Sequence, residues 1–145
     1  MTDRQDSSLD PCRDAVGANT DLLRLVAAAA DLCRKPLRHG VLPLQETGDG
    51  SDSVLHSQDI VLRLEARDRD GQRIPREDLE LEIYRSGNDL NLTLAWQQDE
   101  SMPMLWHGNH PVWMDAAGQR CAPPDDGAPL EALARRLRAL LAPPH

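Results

Sequence analysis

Phenylalanine is missing from this chain, tyrosine occurs once, lysine occurs only at Lys35, and no long unbroken run of apolar residues is present. Each shortage excludes something. With aromatics at 3% and no Phe, the core must be built from Leu, Val, Ala and the three Trp residues. A transmembrane helix needs about 18 or more apolar residues in succession, and no window approaches that. Basic residues are outnumbered, 16 against 24 acidic, for a net charge of -8. That balance argues against nucleic acid and against an anionic membrane surface as partner, because both are bound through basic patches. Cysteine is scarce too. Cys12, Cys33 and Cys121 are odd in number, widely spaced and free of any C-x-x-C pair, which predicts reduced thiols. Met1 to Asp14 carries neither an apolar leader nor an Arg-rich amphipathic pattern. A cytoplasmic location is the resulting expectation.

What is present suits a single domain. At 145 residues the chain can bury roughly two-thirds of the surface its unfolded form would expose. Residues 1–18 are polar and acidic and read as a flexible arm, leaving 19–145 as the domain. Asn19 or Thr20 can cap a helix with an apolar stripe at Leu22, Leu25, Val26, Ala29, Leu32 and Cys33, stopped by Pro36. Arg34 and Lys35 suit the negative end of its dipole. Leu37 to Leu44 is apolar but interrupted by Gly40 and Pro43, and reads as an extended crossing segment. Glu46 to Ser53 reads as an acidic loop.

The hydrophobic period then changes from 3.6 to two. Ile60, Leu62, Leu64 and Ala66 alternate with polar residues, as do Leu79, Leu81 and Ile83, so two half-buried strands are predicted. Gly87-Asn88 is a good two-residue hairpin loop. It would set Ile83 against Leu92, Leu81 against Leu94 and Leu79 against Trp96, with Tyr84 beside Asn91 and Glu82 beside Thr93. Met104 to Met114 reads as a second hairpin, centred on Gly108-Asn109. Pro129 opens a last helix whose stripe is Leu130, Leu133, Ala134, Leu137, Leu140 and Leu141. The predicted fold class is α+β: an antiparallel meander of four to five strands, with an N-terminal and a C-terminal helix packed on one face.

Chemistry-bearing patterns are few. A hairpin closing on Gly108-Asn109 would set His107 and His110 across from each other, and a pair of imidazoles can share a metal. A third ligand is missing, since Asp115 falls on the other face by parity and only Cys121 or His56 could be recruited. Cys121 with either His is also the nearest approach to a nucleophile and base. Its neighbours Gln119, Arg120 and Ala122 resemble no nucleophile turn. Glu80 and Glu82 share a wet face with Arg63, Glu65 and Arg67, for which cross-strand ion pairs are the expected role. Gly48 and Gly50 lack the lysine of a phosphate loop. No cofactor is expected.

The second hairpin carries a different signal. Parity from a two-residue loop places Met104, Trp106 and Trp113 on one face and Leu105, Val112 and Met114 on the other. Strands apolar on both faces must be covered twice, and two helices on one side cover only one. The second cover would be a homodimer partner, another protein, the Leu37 to Leu44 segment, or an apolar ligand. The expected function is therefore a binding or adaptor module that contacts a protein partner or itself through Met104, Leu105, Trp106, Val112, Trp113 and Met114. The alternatives are a small enzyme or metal protein using His107 and His110, and a carrier with an apolar cavity between helix and sheet.

Overall fold

The computed structural model describes residues 11–44, 59–87 and 89–141, with side chains from residue 20 onward. Helix α1 spans Pro11–Cys33, so it begins ahead of the Asn19 or Thr20 cap predicted from the sequence. Proline fits a first helical turn, and Gly17 lowers helix stability by only about 1 kcal/mol without ending the helix. The predicted loop over Glu46 to Ser53, and His56 beyond it, lie outside the described residues.

Six strands follow, in one antiparallel sheet whose spatial order is the order of the chain: β1 (Arg38–Pro43), β2 (Ile60–Arg67), β3 (Leu79–Ser86), β4 (Asp89–Trp96), β5 (Met104–His107) and β6 (Pro111–Met114). The sheet thus has more strands than the four or five expected. The added one is β1, the segment read as a mere crossing. It pairs with β2 from Arg38↔Arg67 to Pro43↔Leu62. Gly40 and Pro43 are compatible with a strand there because β1 is an edge, where a missing N–H interrupts no inner ladder. Helix α2 (Gly127–Leu141) closes the fold.

The β3–β4 hairpin has the register the sequence predicts, with Ile83↔Leu92, Leu81↔Leu94, Leu79↔Trp96, Tyr84↔Asn91 and Glu82↔Thr93. Gly87 turns it at a φ of 65°, the left-handed region that a two-residue loop requires. Strand parity then sends Leu62, Leu64, Leu79, Leu81, Leu92, Leu94 and Leu105 to one face, where all are essentially inaccessible. Val26, Ala29 and Ala30 of α1 and Leu130, Leu133, Ala134 and Leu137 of α2 complete the same cluster. Both helices therefore cover one face of the sheet. Leu32 and Leu140, assigned to the helical stripes, stand 45% and 48% exposed at their margins. Among the described residues no helix is long and apolar enough to cross a membrane.

Candidate functional site: the outer face of the last hairpin

Strands β5 and β6 pair as Met104↔Met114, Leu105↔Trp113, Trp106↔Val112 and His107↔Pro111. The loop between them is thus 108–110, one residue longer than predicted. That single residue reverses the parity of β6 relative to β5. Trp113 joins Leu105 on the helix-facing side, and Val112 and Met114 join Met104 and Trp106 on the other. The reason lies in the indole. In this register Trp113 is 4% exposed, stacks on Trp96 with centroids 6.4 Å apart and planes at 24°, and its Nε1 donates to Glu131 Oε2 of α2 at 2.6 Å. A two-residue loop would bury Val112 in its place and forfeit the stack and the bond.

The same shift separates the two histidines. His107 is buried, opposite Pro111, and its Nδ1 donates to the Gly108 carbonyl at 3.1 Å. Burial pushes its pKa down, and Arg138 and Arg135 add to that effect while the Gly108 bond and Glu131 oppose it. His110 sits exposed in the loop. The paired imidazoles predicted from the sequence are therefore not opposed, and among the described residues no group of three or more His, Cys, Asp or Glu is placed to hold a metal. Cys33 and Cys121 are free thiols. Burial raises the pKa of Cys33.

Of the residues assigned to an interaction surface, Leu105 and Trp113 belong to the core. The remaining four, Met104, Trp106, Val112 and Met114, form a half-buried apolar patch on the face away from the helices. Thr93 and Ala95 of β4 continue it. Trp106 is fixed by a bond from its Nε1 to the Tyr84 hydroxyl at 2.9 Å. Its ring lies so close over Gly108 that a Cβ there would stand 2.8 Å from Trp106 Cη2 and 3.0 Å from Asn91 Oδ1. The Leu37 to Leu44 segment cannot cover this patch, because as β1 it occupies the opposite edge of the sheet. The free edge of β6 is itself shielded: Met114 bridges to Arg120, and the Cys121 N–H donates to the Trp113 carbonyl at 2.9 Å.

Across the rest of the outer face the side chains are charged, but not paired as expected. Arg63 lies opposite Glu80, yet its guanidinium approaches Glu65 at 3.6 Å and Asp78 at 3.8 Å instead. The fully buried Asp78 carboxylate draws it there. Asp78 also accepts both terminal nitrogens of Arg73 at 2.8 Å and the Ala66 N–H at 2.8 Å. Burial alone would raise its pKa, but these hydrogen bonds and the arginine charges hold it below the usual carboxylate range. This cluster closes the β2–β3 connection. Glu82 is left among like charges, and burial followed by Asp59 and Glu80 raises its pKa.

A second buried polar chain escaped the sequence reading. Arg34, matched from the sequence to the negative end of the α1 dipole, is 6% exposed. It donates to His39 Nε2 at 3.0 Å, to the Glu77 carbonyl at 3.0 Å and to Glu77 Oε1 at 2.8 Å. His39 Nδ1 in turn meets Asp31 Oδ1 at 3.0 Å. Treating Leu37 to Leu44 as a strand would have revealed this, since parity then turns His39 inward beneath α1. Every hydrogen-bonding side chain in this network meets another member, so the arrangement pins α1 to β1 and to the turn before β3.

Residues 23–140 match a family model described as a domain of unknown function, DUF8659. The chain belongs to that family. The match takes in all six strands, the C-terminal half of α1, nearly all of α2, the outer patch and both buried polar clusters, so the DUF8659 domain is this two-layer unit. No curated protein and no solved structure matches the chain.

Proposed function

We propose that this domain is a binding module that contacts a protein partner through the outer face of the β5–β6 hairpin. The observation that carries the reading is the patch of Met104, Trp106, Val112 and Met114. It lies on the sheet face opposite both helices, beyond the reach of β1. The sequence outside the described residues offers little to cover it, having only Met1, Leu9, Val54 and Leu55 as large apolar side chains. Trp and Met are residue types enriched where proteins meet. The patch is bordered by Glu82 and by Asp89, and the chain carries a net charge of -8. A second copy would bring like charges together, whereas a partner with an apolar centre and a basic rim would be attracted.

The test compares Met104→Asp and Met114→Asp with Leu42→Asp, which alters an exposed leucine on the opposite edge strand. Thermal unfolding should change little in all three, by about 1 kcal/mol or less. Cross-linking followed by quantitative affinity capture should recover the same species with wild type and with Leu42→Asp, and lose them with either Met variant. An identical set from all four proteins would remove the hairpin from the interface. Sedimentation of the wild type as a stable dimer, broken by Met114→Asp, would assign the patch to self-association instead.

A further inference from the structure

Beside the patch, on the other flank of Trp106, lies a cavity of about 270 Å³ lined by Tyr84, Ser86, Asp89, Asn91, Trp106, Gly108 and Asn109. Asn91 is the unusual member. It is 6% exposed, and its carboxamide has no hydrogen bond to any described residue. Its polar atoms are not among the buried atoms left without a partner, so they open onto the cavity, where they can meet a ligand in place of water. The neighbouring groups are also available. The Tyr84 oxygen accepts the Trp106 Nε1–H, which leaves its own proton free to donate. Ser86, Asp89 and Asn109 add a hydroxyl, a carboxylate and a second carboxamide at the rim. No Lys or Arg lines the cavity.

That composition selects among ligands. An anion would find no cation and would meet Asp89. A guanidinium or ammonium would satisfy Asp89 and the amide oxygens but would leave the Asn91 amide protons and the Tyr84 proton without acceptors. A hydroxyl both donates and accepts, and adjacent hydroxyls match the alternating donors and acceptors of a carboxamide. The indole of Trp106 and the phenol of Tyr84 supply apolar surface for the carbon skeleton between them. From these observations we infer that the cavity between Trp106 and Asn91 is a binding site for a neutral, hydroxyl-rich ligand of monosaccharide size. Gly108 is part of the design. Any side chain there would strike the Trp106 ring and Asn91 Oδ1, moving the two groups that define the cavity.

The inference does not depend on the protein-binding patch, although Trp106 borders both. It is tested by following the indole N–H of Trp106 and the side-chain amide of Asn91 in the full chain by NMR, while titrating glucose, galactose, mannose and N-acetylglucosamine into the millimolar range. Inorganic phosphate and N-methylacetamide serve as comparison ligands. Saturable shifts of both signals are expected with at least one sugar, and none with phosphate. Asn91→Ala and Ser86→Ala should each weaken that sugar roughly tenfold, the loss of one hydrogen bond to a desolvated ligand. Ser86 is exposed at a hairpin end, so its variant keeps the fold, and Met114→Asp should leave the titration unchanged. The inference is overturned if no sugar gives a saturable shift, or if the variants bind as well as wild type. Saturation by N-methylacetamide in place of the sugars would reassign the cavity to a peptide segment.

Discussion

His39 has its protonation state fixed by its neighbours. Arg34 can only donate, so Nε2 must accept, and the remaining proton sits on Nδ1 facing Asp31. Burial lowers its pKa below 6.5; the bond to Asp31 and the charges of Asp31 and Asp78 oppose the shift, while the Arg34 charge adds to it. His107 is lowered as well, chiefly by burial. The folded chain therefore binds protons at these sites less readily than the unfolded chain. Stability from this source is complete above the unfolded pKa and is lost as pH falls below it toward the folded values. Urea unfolding followed between about pH 7 and about pH 5 should show the decline, and His39→Gln should flatten it. At this scale the sequence was least informative. Arg34, His39 and Asp78 look like ordinary surface residues because burial of polar groups leaves no periodic signal. Arg34 meets Glu77 from 43 positions away, whereas Arg73 and Asp78 are only five apart and are joined by the turn geometry rather than by a repeat.

Among the elements, the two Gly-Asn hairpins make an instructive pair. The β3–β4 register was legible because one face of each strand is apolar and the other polar, so a one-residue slip would bury charges. The β5–β6 register was not. Both parities place large apolar groups on both faces, and the choice was made by long-range contacts of Trp113 with Trp96 and Glu131. The loop itself depends on Gly108. Gly108→Ala should destabilise the domain by about 1 to 3 kcal/mol, the usual cost of overpacking, because the added methyl meets the Trp106 ring. In the Trp106→Ala background the same substitution should cost much less, so chemical denaturation of the two single variants and the double variant will show strong coupling. Additive losses would mean that Gly108 matters for its backbone alone.

Over the whole molecule the α+β class, the single Leu-rich face and the placement of both helices upon it followed from periodicity alone. Leu81 and Leu94, opposed at the centre of the sheet and both fully buried, test that architecture. Leu81→Ala should cost about 2 to 5 kcal/mol in equilibrium unfolding, whereas a loss below about 1 kcal/mol would contradict the buried position. The sheet's sixth strand was obscured by Gly40 and Pro43, which argue against a central strand but not against an edge. That placement has a consequence for how the protein behaves in a crowded solution. One lateral margin of the sheet carries a proline, a glycine and the exposed Arg38, and the other is closed by the bridge from Met114 to Arg120. Among the described residues neither margin offers a long unbroken edge to another strand, which disfavours sideways fusion of sheets into ribbons. If the outer patch binds a partner as proposed, the contact forms perpendicular to the sheet and ends after one addition, unlike the open-ended growth of edge-to-edge pairing.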